Sequence, residues 1–205
     1  MATNMALKRG RKAQRRKQVV AQKRRAETLQ TSLPARVLQA AQAPIQHCLL
    51  TEDLFETGMG TLILARGATP HLLATASFLL DVFCLGIKDV MFGTFEHDEF
   101  AMYVEVTDAG SPLVSIAPCD ARKLMRDLAA WSQSIGFPPH RDFTAVERIF
   151  GDVSADESEA DFPFGRECKP IYIPGPFESA TLIRRRIEQL QKHLGNDGFE
   201  FETAA

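Results

Sequence analysis

The sequence predicts an α+β fold: a small, mainly antiparallel sheet packed by helices and preceded by a basic N-terminal arm. Three observations lead there. First, residues 61–66 (T-L-I-L-A-R) and 72–83 (L-L-A-T-A-S-F-L-L-D-V-F) are apolar runs set off by Gly60, Gly67 and Pro70. Such runs, bounded by turn residues, read as strands, and the short gap between them suits an antiparallel hairpin. Second, residues 118–134 and 178–194 repeat apolar side chains at helical spacing (Leu124, Leu128 and Trp131; Ile183, Ile187, Leu190 and Leu194), with Gly136 and Gly195 just past their ends. Third, residues 8–25 hold ten Lys and Arg and no acid, a composition that cannot bury itself in a core.

Taken in order, residues 1–33 form the basic arm, disordered or helical only against a polyanion that neutralises it. Its cations are Lys8, Arg9, Arg11, Lys12, Arg15, Arg16, Lys17, Lys23, Arg24 and Arg25. Residues 34–44 are a short helix and linker stopped by Pro44. Residues 45–195 are expected to make one α+β domain, with residues 45–50 and 171–173 as further strands of the core sheet. Residues 51–56 read as one helical turn released by Gly58 and Gly60. Residues 96–109 fit either period, and the acids at their start favour a helix. Gly110, Ser111 and Pro112 break it. The Pro138–Pro139 pair stiffens the link to a helix over 143–150, with Asp142 at its cap position. Residues 152–161 read as an acidic loop and 196–205 as a loose tail.

The stretch 77–92, S-F-L-L-D-V-F-C-L-G-I-K-D-V-M-F, is the most apolar in the chain and carries Asp81, Cys84, Lys88 and Asp89 within it. At a period of two, Phe78, Leu80, Val82 and Cys84 share one face, and Leu79, Asp81, Phe83 and Leu85 the other. Both faces are largely apolar, so the strand is expected to be central and covered on both sides. Asp81 then sits among apolar neighbours, where an ionised carboxylate needs a donor. Gly86 permits a turn, after which Lys88 and Asp89 are expected to begin a helix.

Composition narrows the function. A hydrophobic fraction of 45% supports a packed core, and no apolar run reaches the roughly 18 residues of a membrane span. The basic start has no apolar segment behind it, unlike a secretory signal, and no apolar face, unlike a transit peptide. Cys48, Cys84, Cys119 and Cys168 are scattered with no C-x-x-C pair. They read as thiols in a reducing cytoplasm. The histidines His47, His71, His97, His140 and His193 show no metal-ligand spacing, and no cofactor fingerprint or phosphate loop is present. No metal or cofactor is expected. The net charge of −2 divides unevenly: with the ten cations of residues 8–25 set aside, 14 basic residues face 26 acids, so the remainder of the chain carries −12.

Three segments, L-L-D-V-F-C-L-G-I-K-D-V (79–90), I-G-F-P-P-H-R-D-F (135–143) followed by I-F-G, and K-P-I-Y-I-P-G-P (169–176), together resemble an uncharacterised bacterial family. Its pattern is D-x-x-C-L-G-x-K-D with a later G-F-x-P-H-x-D-F. The resemblance implies no activity and draws attention to Asp81, Cys84, Lys88, Asp89, His140 and Asp142. Two constellations can be built from these residues. Cys84, His140 and Asp142 have the types of a thiol nucleophile, a base and its orienting acid. Asp81 with Lys88, Asp89 and Arg141 has the types of a structural ion-pair network.

Three functions follow as expectations. The first is a non-enzymatic binding protein that contacts RNA or a ribonucleoprotein through the arm. The second is a hydrolase using Asp81, Cys84, His140 and Asp142 in a pocket between the Gly86 turn and residues 138–143. The third is a subunit of a larger assembly, docking a protein partner on the face of helix 178–194 that bears Arg184, Arg185 and Arg186.

Overall fold

In the computed structural model, residues 32–69 and 71–202 are described; the arm's cations lie outside them. Five strands form one antiparallel sheet: β1 (Ile45–Thr51), β2 (Met59–Arg66), β3 (Leu72–Asp81), β4 (Gly86–Glu96) and β5 (Leu113–Ser115), in the order β4-β3-β2-β1-β5. The first four are a meander, and β5 returns to the free edge of β1. Helices α1 (Leu33–Ala40), α2 (Leu54–Thr57), α3 (His97–Asp108), α4 (Pro118–Ser134), α5 (Phe143–Val146) and α6 (Ala180–Leu194) pack on it.

Strand alternation divides the core. Leu62, Leu64, Ala76, Phe78, Leu80 and Ile87 point to one face, where Leu124, Met125 and Leu128 of α4, Phe143 and Val146 of α5, and Val37 of α1 close over them. Ile63, Ala65 and Leu73 point to the other and meet Phe100, Tyr103 and Val104 of α3. The Tyr103 hydroxyl donates to Ser77 Oγ at 2.7 Å, which anchors α3 across the sheet. The acid-first segment is a helix as its pattern predicts: Glu96 and Glu99 form a reciprocal capping box at its start. Beyond the end of the sheet, α6 packs Leu190 against Cys84, Leu85, Ile135, Phe137 and Tyr172.

Four expectations are corrected. The second long strand ends at Asp81, and Val82 to Leu85 form a buried turn. Lys88 and Asp89 start no helix; they lie near the beginning of the eleven-residue β4, whose ladder with β3 satisfies the backbone that a helix would have satisfied locally. Ile171 and Tyr172 do not join the core sheet. They pair in parallel with Glu200 and Phe201 as a separate ribbon, β6 and β7, so the tail is tied down over those two residues. The segment after Asp142 is one α-helical turn followed by a 3₁₀ turn, Glu147–Phe150, and the Asp142 side chain makes no capping bond.

Candidate functional site

The polar residues of the apolar stretch gather where β3 turns into β4. Gly86 makes this turn possible: its φ is +71°, and a Cβ there would stand 2.2 Å from Ser132 Oγ of α4. Asp81, the last residue of β3, is 6% exposed. Its Oδ1 accepts from the Phe83 amide at 3.2 Å and the Cys84 amide at 2.8 Å, so the carboxylate stitches the turn together. Its Oδ2 lies 4.0 Å from Lys88 Nζ. Burial pushes the Asp81 carboxyl above the ordinary range, while Lys88 and the turn amides pull it down.

Lys88 reaches Asp81 because of a β-bulge. In the β3–β4 ladder Leu79 faces Asp89 and Leu80 faces Ile87, which leaves Lys88 as the extra, unpaired residue. A bulge re-aims the side chain it carries, and Lys88 Nζ comes within 3.8 Å of Met59 Sδ. Asp81 and Lys88 thereby line a pocket of about 290 Å³ whose other walls are Gly58, Met59 and Phe83 on one side and Ile171, Ile173 and Pro174–Pro176 on the other. Two of the three segments singled out in the sequence, 79–90 and 169–176, meet here. An apolar chamber with one carboxylate and one ammonium at its wall is chemically suited to hold a small group.

Behind the pocket, the Tyr172 hydroxyl donates to Glu178, and Arg186 pairs with the same carboxylate. The Arg186 guanidinium also stands 5.7 Å from the centre of the Tyr172 ring. Burial and then Glu178 push the Tyr172 phenol up to about 12. Arg186 is thus engaged inside the molecule, whereas Arg184 and Arg185 are exposed on α6.

The nucleophile constellation is not assembled. Cys84 is fully buried among Leu85, Ile135, Phe137, Tyr172 and Leu190. Burial, followed by the Asp81 charge, drives its thiol well above the range in which a thiolate forms. His140 faces elsewhere: its Nε2 lies 3.8 Å from Asp89 Oδ1 and its Nδ1 3.9 Å from Asp142 Oδ2. The Asp142 amide donates to Nδ1 at 3.3 Å, which places the proton of the neutral ring on Nε2, toward Asp89. Among the described residues no hydrogen bond joins Cys84 Sγ to His140. The ion-pair set divides in the same way. Asp81 pairs with Lys88, whereas Arg141 extends outward and, among the described residues, pairs with Asp142, at 3.8 Å.

A second concavity was not foreseen in the sequence. Arg66, the last residue of β2, is 5% exposed. Its Nη1 donates to the Ala41 and Ala43 carbonyls at 3.0 and 2.6 Å, and its Nη2 to the Phe150 carbonyl at 2.6 Å. Gly151 allows this close approach: its φ is +61°, and a Cβ would lie 3.2 Å from Arg66 Nη2. Arg122 of α4 donates to the Gly151 and Val153 carbonyls. With Arg148 and Asp152, these arginines line a pocket of about 810 Å³ under the C-terminal end of α1. The available signal was a charged residue closing an apolar strand just before Gly67.

Among the described residues no group of three or more His, Cys, Asp or Glu is placed to hold a metal, and no helix is long and apolar enough to cross a membrane. Comparison of the chain with protein-family models, with curated proteins and with solved structures gives no match in any of the three.

Proposed function

We propose that this protein is a non-catalytic binding protein that contacts RNA, alone or within a ribonucleoprotein, through the cations of residues 8–25. The observation that carries the reading is the partition of charge: ten cations without an acid in residues 8–25, against 14 basic and 26 acidic residues in the rest of the chain. A solvated cationic segment gains most by displacing counter-ions from a polyanion. The separation of Cys84 from His140 supports a binding role over a thiol hydrolase. The scattered thiols, with Cys48 and Cys84 buried and free, suit a reducing cytoplasm. A protein partner, where one takes part, would meet the exposed Arg184 and Arg185 of α6.

The test is a deletion of residues 1–30. Fluorescence anisotropy with a labelled mixed-sequence RNA at low salt is expected to show binding by the full chain and a loss of at least about 100-fold in the truncated one, with circular dichroism unchanged. Equal binding by the two chains would overturn the reading.

A further inference from the structure

The arginine pocket under α1 has a charge balance unlike that of the body around it. Arg66, Arg122 and Arg148 line it with one carboxylate, Asp152, and the Glu147 carboxylate feels the charges of Arg122 and Arg148 from beside it, in a body whose acids outnumber its bases. Two observations mark it as more than a structural clip. Arg66 is buried, yet its Nε has no hydrogen-bond partner among the described residues; an orphaned guanidinium donor invites an acceptor. The Arg148 side chain is exposed and shares with Arg122 an attraction to Glu147, while Arg66 and Arg122 are held in place by carbonyls. A chamber of about 810 Å³ has room for a phosphate with its attached sugar. Guanidinium forks match phosphate oxygens in geometry and charge.

Position gives the ligand its source. The arm ends where α1 begins, and Leu38 and Ala41 to Pro44, at the far end of that helix, form the roof of the pocket. Eight helical residues span about 12 Å, so a strand held by the arm needs only a short step to reach the chamber. We infer that the Arg66–Arg122–Arg148 pocket takes a backbone phosphate of the RNA strand held by the arm, with Arg148 as its mobile contact and Asp152 as a built-in competitor. The inference rests on the RNA reading for its ligand, and its test separates the two.

The probe is a 5′-fluorescein-labelled 20-nucleotide oligouridine, titrated with the full chain over a series of KCl concentrations. Arg148→Glu is expected to weaken binding about 10-fold at low salt and to make the salt slope shallower by about 1. Asp152→Asn, which removes the competing carboxylate, is expected to tighten binding by roughly 3-fold; loss of fold cannot produce that gain. Wild-type affinity and slope in both variants, with binding still lost on deleting residues 1–30, would overturn the pocket and leave the arm. Binding that survives the deletion and is abolished by Arg148→Glu would overturn the arm and leave the pocket.

Discussion

Asp81 is held by partners of two kinds, backbone amides and one ammonium. The Phe83 and Cys84 amides and Lys88 all favour the ionised form. Burial favours the neutral form more strongly, so the folded-state carboxyl titrates above its ordinary value of 3.8. The folded chain therefore holds this proton more tightly than the unfolded chain does. The linked stability is full below the ordinary value and is lost as pH rises through the folded one. Asp81→Asn keeps an oxygen for the two amides and has nothing to titrate. The stability of the wild type relative to Asp81→Asn is expected to fall as pH rises above the ordinary carboxyl value of 3.8, measured by urea unfolding at each pH. A difference that is constant, or that grows with pH, contradicts the assignment. Asp81→Ala strands both amides and the ammonium and is expected to cost about 2–4 kcal/mol. The burial of Asp81 was legible from the period-two pattern around it. Its choice of Lys88 over Arg141 was not, because a bulge and a loop direction decided it.

At the scale of elements, the β3–β4 turn is where the sheet, α4 and α6 meet, and Gly86 is its tightest point. Gly86→Ala must accept a left-handed φ of +71° and a Cβ 2.2 Å from Ser132 Oγ. The expected cost is about 2–4 kcal/mol. Combining it with Ser132→Gly removes the collision but not the backbone strain, so about 1–2 kcal/mol of the loss is expected to remain. Unfolding curves of the single and double variants check this; a neutral Gly86→Ala would show that α4 stands farther off. The elements that were legible in the sequence are those whose signals are local. The hairpin, α4 and α6 each carry their own period and stop signals, and α3, which fits either period, is marked by the acids at its start and the Gly110–Pro112 break. The elements that were missed depend on distant partners. β5 has three residues and is a strand only because the edge of β1 is open. Ile171 and Tyr172 look like any apolar pair until Glu200 and Phe201 return beside them. Lys88 and Asp89 imitate a helix start because a bulge breaks the alternation that would have revealed β4.

For the whole molecule the decisive feature is that cations are concentrated in front of an acidic body, a property wholly legible in the sequence and independent of the fold. On the proposed function, it sets both the strength and the selectivity expected of RNA binding. Each phosphate neutralised on a single strand contributes about −0.7 to the slope of log K against log salt. Ten arm cations therefore set a ceiling near −7, and repulsion between RNA and the rest of the chain, at net −12, moves the expected slope below that ceiling in magnitude, to about −4 to −6. The arm contains no aromatic residue, so no base stacks on an aromatic ring there, and stacking on its arginines is tolerant of base identity, so the bases are not read there. Uridine, adenosine and mixed-sequence oligomers of equal length are then expected to bind within about 3-fold of one another. No histidine lies in residues 8–25, so the arm keeps its full charge between about pH 6 and 8 and the slope should not change across that interval. A slope shallower than about −2 would correspond to some three phosphates, too few for ten cations. A preference of more than about 10-fold for one base would require a reading surface that the arm does not possess. Either result would move the interface off the arm and onto the folded body.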